Sequence, residues 1–184
     1  RAWLLRGDAY ALPFRDGSLD TVITVWMLEH VAGPDRVLAE ALRTLAPGGR
    51  LVCTEVDNGS FAFDPAVPAI RDWWDAFNRF QLTGGGDPFV GRRLAHLAAE
   101  SGYADIDTKT LPIIASDREP RRRGALLDYL EGLLLSGAER MLAASVVQQA
   151  QVAALRRAFE QVRGDETTSF RYFAVRLTCR KPPG

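Results

Sequence analysis

The apolar pattern opens with a short run, "AWLLRGD", that stops at Gly7-Asp8. It predicts a buried strand giving way to a turn. "DTVITVWML" follows, rich in β-branched residues and apolar on both alternating faces, which predicts a central strand of a parallel sheet covered on both sides. Gly33-Pro34-Asp35 then starts a helix, with the proline suited to its first turn. Val37, Leu38, Ala41, Leu42 and Leu45 form its single apolar stripe. "APGG" ends it, and "RLVCTEVD" reads as a second central strand. Strand, helix and strand with short connections make the unit of a parallel α/β sheet, with a right-handed crossover.

Downstream, Asp64-Pro65 reads as a cap-and-start pair for a helix carrying Trp73, Trp74, Phe77 and Phe80. A hinge, "TGGGDP", separates it from the helix "FVGRRLAHLAAESG", with Asp87 placed to cap it and Gly102 to end it. "YADIDTKTLPII" alternates like a strand. Residues 119–163 read as two helices, the second with Leu142, Val146, Gln149, Val152, Leu155, Phe159 and Val162 on one side. "SFRYFAVRLTCR" closes the pattern as a last strand. An insertion of that length before a final strand usually covers a site.

Composition narrows the classes. In 184 residues, Lys and Arg number 23 and Asp and Glu 23, so no basic excess points to nucleic acid or an anionic membrane. Arg121-Arg122-Arg123 is read as a solvated helix start. Cys53 and Cys179 make neither a disulfide framework nor a zinc site, and are expected as small buried apolar residues. No apolar run reaches membrane-spanning length, and a cytoplasmic location is expected.

Two stretches carry a resemblance. "GDAYALPFRDGSLDTVITVWMLEHV" and "ALRTLAPGGRLVCTEVD" form a long ordered string that resembles the class I S-adenosylmethionine-dependent methyltransferases. The nearest branch is the small-molecule one that includes the quinone-biosynthesis enzymes. "DPFVGRRLAHLAAESGY" and "FRYFAVRLTCRKP" continue it more weakly. The resemblance implies S-adenosylmethionine as cofactor, with Asp8 accepting a hydrogen bond from the adenine amino group and the Ala9 N–H meeting a ring nitrogen. Tyr10 belongs to the same loop, and Leu12 and Phe14 flank the base or anchor the loop. A carboxylate at the end of a strand suits an exocyclic amine in its own right.

By the same resemblance Thr24, Val25 and Trp26 lie beside the methionine part. The Trp26 ring either walls the sulfonium pocket, where it favours a cation, or is a plain core tryptophan. His30 is either a general base, as imidazole titrates near neutrality, or a buried hydrogen-bonded histidine. "WMLEH" offers only Glu29 and His30 as ligands, so no metal is expected. His96 is assigned to surface or packing. Two adjacent tryptophans cannot face the same way on a helix, so one of Trp73 and Trp74 is expected to face a pocket shared with the insertion. Segments 58–87 and 119–163 are the implied helical lid over a small aromatic or apolar methyl acceptor.

The family's Gly-rich loop and its second-strand acid do not precede Gly7, and Gly84 to Gly86 follow a helix. The expected fold is therefore α/β, a Rossmann-like methyltransferase sheet, N-terminally incomplete, with a helical insertion before the last strand. In the family's strand order, 3-2-1-4-5-7-6, this leaves the fourth strand as an edge that invites pairing, a homodimer included. Weak cofactor binding is expected. The competing reading is a non-catalytic methyltransferase-like module for binding or dimerisation. A nicotinamide oxidoreductase is disfavoured by the lack of a dinucleotide fingerprint.

Overall fold

The computed structural model describes residues 4–115 and 120–183. Four strands form one mixed sheet in the order β1-β2-β4-β3: β1 (Leu19–Val25), β2 (Leu45–Asp64), β3 (Ala104–Ala115) and β4 (Ser169–Arg180). This is the order expected of the family's fourth, fifth, seventh and sixth strands. The chain divides into two compact units, and each is described by itself. The first comprises the described residues of Arg1–Asp57, Gly86–Leu111 and Ala174–Gly184; the second comprises those of Asn58–Gly85 and Pro112–Phe173.

In the first unit, β1 runs parallel to β2, with Ile23 opposite Val52 and Val25 opposite Thr54. It is the outer strand, and Ile23 and Val25 are 66% and 59% exposed, so the expected two-sided burial is not found. The opening apolar run likewise forms no strand over its described part. Leu4 to Gly7 are irregular, Leu4 and Leu5 are exposed, and Asp8 makes only an isolated bridge with Ala11. A strand needs a hydrogen-bonding neighbour, and among the described residues this segment pairs with none. Residues 1–3 of the run lie outside the described residues.

Helix α1 (Pro34–Thr44) begins at the anticipated proline and buries Val37, Leu38 and Ala41. It stops at Thr44, one residue before the end expected from "APGG". The strand takes over at Leu45, and Gly48 and Gly49 exchange backbone hydrogen bonds with Lys181 (3.0 and 2.9 Å). Leu28, Leu45, Leu51, Leu94 and Leu177 are wholly inaccessible at the centre of this unit, each contributing about 1.5–3 kcal/mol by burial. The segment before β3 is a 3-10 turn (Val90–Arg93) leading into α3 (Leu94–Glu100), rather than one helix. Asp87 is not its N-cap; its carboxylate accepts from the Phe89 N–H and pairs with Arg93. A Cβ on Gly91 would lie 2.6 Å from the Val56 carbonyl oxygen, so only glycine allows this approach to β2. Gly102, at φ +89°, ends α3 as expected.

The second unit is built on aromatic rings. Phe61 stacks on Trp74 at 4.3 Å and meets Phe170 and Tyr172 edge-on. Residues 58–64 belong to β2, so α2 (Pro68–Thr83) begins after the expected Asp64-Pro65 start. The insertion holds three helices, α4 (Pro120–Ser136), α5 (Ala138–Ala143) and α6 (Gln149–Gly164), where two were expected. The break falls at Ser145, at φ +57°, and Gln148 and Gln151 form a reciprocal cap that restarts the helix. Val152, Leu155, Phe159 and Val162 are buried, whereas Val146 and Gln149 are not. No helix of the described residues is long and apolar enough to cross a membrane.

The arginine run is not wholly a solvated helix start. Arg123 is buried, and its Nη2 donates to the carbonyls of Val162, Asp165 and Thr168 (2.7, 2.8 and 3.2 Å). A cation thus caps the last turn of α6, where the helix dipole is negative. Arg123→Ala leaves these carbonyls without their donor, and the expected loss in urea unfolding is about 2–3 kcal/mol. Arg121→Ala, at an exposed position, is expected to change it by less than about 0.5 kcal/mol.

Candidate functional site

The loop from Asp8 to Gly17 is held at both ends. The Tyr10 N–H donates to Asp8 Oδ1 (2.9 Å), and the Ala11 N–H to the Asp8 carbonyl (3.1 Å). Among the described residues, the second carboxylate oxygen of Asp8 takes no hydrogen bond. Ala9 and Tyr10 pack on the core of the first unit, and the Arg36 guanidinium lies 4.5 Å over the Tyr10 ring. The next residues are clamped by α1. Glu40 accepts the Leu12 N–H (2.6 Å), while Arg43 donates to the carbonyls of Leu12 and Phe14 (3.2 and 3.0 Å) and pairs with Asp16 and Glu40. The Arg43 hydrogen bond holds the Glu40 carboxyl below its ordinary 4.5, against the opposing effect of burial. Sequence reasoning missed this pair. Its signal was an acid and an arginine three residues apart on one helix face.

The second half of the site is the turn after β1. Thr24 is half-buried, Val25 is exposed, and Trp26 is 40% exposed. Trp26 adopts φ +50°, a left-handed backbone that a bulky residue rarely takes. Its N–H donates to the Thr54 carbonyl (2.9 Å). Beyond it, the N–H groups of Met27, Leu28 and Glu29 converge on the Glu55 carboxylate (3.0, 2.9 and 3.3 Å) and open a 3-10 turn, Leu28–His30. The Glu29 carbonyl accepts the Asp87 N–H (2.9 Å). Glu55 is wholly buried. Burial pushes its carboxyl up from the ordinary value, and the backbone donors pull the other way. Nothing in the residue pattern marked Glu55, because an acid inside an apolar strand has no periodicity of its own.

His30 is not the buried histidine of the alternative reading. Its imidazole is 62% exposed and lies 3.6 Å from the Glu29 carboxylate. His96 is also exposed, beside Glu100 at 3.2 Å. Cys53 and Cys179 are free and buried, and burial raises both thiols to about 12, which leaves them unreactive. In the second unit, a hollow of about 240 Å³ is lined by Ala69, Asp72 and Trp73 of α2 and by Gln151 and Ala154 of α6. Of the adjacent tryptophans, Trp73 reaches this hollow, with its Nε1 donating to the Leu134 carbonyl. Trp74 is packed among rings instead.

The clamp generates a prediction. Because the Glu40 carboxyl is lowered, its stabilising effect is fully present above 4.5 and is lost as pH falls through the lowered value. In Arg43→Ala, amide exchange at Leu12 is expected to rise about tenfold at neutral pH. The gap between variant and wild type should close on acidification. A gap that persists below the carboxylate range would mean that the ion pair does not hold the loop.

Comparison with known proteins gives a consistent picture. The sequence profile of the family described as "Methyltransferase domain" matches residues 2–53. An uncharacterised 37.1 kDa protein of a Streptomyces fradiae transposon is 41% identical over 99 residues, 53% of this chain and 28% of that protein. A demethylmenaquinone methyltransferase from Lactiplantibacillus plantarum is 33% identical over 109 residues, 59% of this chain and 41% of that protein. The chain thus matches less than half the length of either relative. The crystal structure of a candidate methyltransferase from Bacillus halodurans C-125 superposes with a TM-score of 0.57 at 17% identity, covering 97% of this chain and 77% of that one. Over residues 2–53 the chain is thus similar to the methyltransferase domain family, and over the described residues it shares the α/β fold of the Bacillus halodurans protein.

Proposed function

We propose that this chain serves S-adenosylmethionine-dependent methyl transfer to a small aromatic or apolar metabolite. One observation carries the reading. Every candidate residue, Asp8, Ala9, Tyr10, Thr24, Val25, Trp26 and His30, falls inside the segment that matches the methyltransferase domain. Bound there, S-adenosylmethionine would supply a methyl group on a sulfonium, a good leaving group.

The residues then have separate tasks. The unbonded oxygen of Asp8 accepts from the adenine amine, and the Ala9 N–H donates to the ring. The Tyr10 N–H is engaged by Asp8, so Tyr10 contributes its ring and the shape of the loop. Trp26 offers an electron-rich face to the sulfonium, about 0.5–2 kcal/mol in a desolvated setting. Exposed at the end of the turn, His30 takes the proton from the acceptor. Much of the acceleration comes from positioning rather than from the base. The ring-bearing acceptor class draws support from the demethylmenaquinone methyltransferase relative, and segments 58–87 and 119–163 are proposed as its helical lid.

Saturation-transfer NMR with S-adenosylhomocysteine tests the cofactor half, since it reads weak binding. Adenine protons should receive saturation, and Asp8→Asn should lose it. The amide keeps an oxygen for the Tyr10 N–H but turns a donor toward the adenine amine, with an expected drop of about tenfold or more in affinity. Equal signals in both proteins would remove Asp8 from the site. For the chemical half, His30→Ala is expected to lower methyl transfer to a hydroquinone about 100-fold while cofactor uptake stays the same. Undiminished turnover would deny His30 its role.

A further inference from the structure

We infer that Glu55 is a positioning residue, whose buried carboxyl group accepts from the backbone of the turn that carries Trp26 and His30 and so holds it. Three successive backbone N–H groups, from Met27, Leu28 and Glu29, point at one carboxylate (3.0, 2.9 and 3.3 Å). This is the arrangement of an anion-binding nest, filled here by the protein's own side chain. Glu55 reaches it from β2 and is wholly inaccessible to solvent.

The turn needs such an anchor. Trp26 stands at φ +50°, where an L-residue other than glycine is strained by about 1–2 kcal/mol. On its upstream side its own N–H donates to the Thr54 carbonyl and continues the β1–β2 pairing. The carboxylate fixes the three residues that follow, so the strained residue is gripped from both sides. Without Glu55 the donors at Leu28 and Glu29, both buried, would lose their acceptor. The backbone would then relax toward an ordinary conformation and carry the Trp26 ring and the His30 imidazole with it. The Asp87 N–H donates to the Glu29 carbonyl and holds the far end of the turn.

The claim that Glu55 orders the turn stands on geometry alone. Its consequence for the cofactor rests on the S-adenosylmethionine reading above. Amide hydrogen exchange of the full chain tests the first part. Glu55→Gln keeps volume and one acceptor oxygen, and exchange at Met27, Leu28 and Glu29 is expected to accelerate about tenfold or more. Exchange at Leu38 and Leu51 should stay within about twofold of wild type. Adding Trp26→Gly to Glu55→Gln should restore much of the lost protection, because glycine takes positive φ without strain. A merely structural role would not produce that rescue. Unchanged exchange at residues 27–29, a uniform rise across the core, or no rescue by glycine would each overturn the proposal. If Glu55→Gln does not fold, Glu55→Asp serves in its place, with the same expected local acceleration from the shorter reach. In the same samples, Glu55→Gln should weaken S-adenosylhomocysteine saturation transfer about tenfold. A wild-type chain that shows no transfer would sink the cofactor reading while leaving the exchange result to judge Glu55.

Discussion

A carboxylate taken out of water costs several kcal/mol unless hydrogen-bond donors replace its hydration. In this chain that requirement falls on Glu55, and the local fold follows from how it is met. The strand that carries it is paired in parallel to β1, so the donors within reach are those of the segment leaving the end of β1. Three N–H groups can converge on one acceptor only where the chain curls tightly. The backbone therefore leaves the extended conformation at Trp26 and winds into a 3-10 turn. Pairing, turn and buried carboxyl group are mutually dependent. Moving β1 by one residue would turn the set of donors away from the carboxylate.

The same device recurs with the opposite sign. Arg43 reaches from α1 to the carbonyls of Leu12 and Phe14, and Arg123 reaches from α4 to three carbonyls at the end of α6. In each case a charged side chain of a regular element satisfies backbone groups of an irregular one. Charge-assisted hydrogen bonds are shorter and stronger than neutral ones, so one residue can fix a loop that has little apolar surface of its own. The Asp8–Gly17 loop is the clearest case. Its large apolar residues, Tyr10, Leu12 and Phe14, are only half-buried, and Glu40 and Arg43 clamp its backbone.

These residues mark the boundary of what the sequence makes legible. Periodicity identified α1, β3, β4 and the aromatic face of α2, because burial of a regular element repeats at 2 or 3.6 residues. The string from Gly7 to Asp57 pointed to the family and so to Asp8 and Trp26. Hidden from both approaches were the side-chain contacts across 26 or more positions, such as Glu55 with Leu28 and Arg43 with Leu12. A lone acid in an apolar strand looks like an irregularity until its donors are located. Arg123 was misread for the same reason, since three adjacent arginines suggest solvent and only the fold reveals that one points inward. Breaks were also illegible. The bend at Ser145 interrupts an apolar stripe that looks continuous, and β2 passes through "APGG" without stopping because Lys181 pairs with the glycines there.

Trp26 brings these threads together. A glycine would occupy φ +50° freely, yet the position holds one of four tryptophans in the chain. Strain of this kind persists only where surrounding structure over-determines it, and here the Thr54 carbonyl and the Glu55 carboxylate do so. Trp26 is 40% exposed, whereas Trp73 and Trp74 are buried. Backbone preference therefore does not account for a tryptophan at this site. The ring stands at the end of β1, which pairs in parallel with β2, the end at which open α/β sheets bind their ligands, and the proposed sulfonium contact rests on that placement.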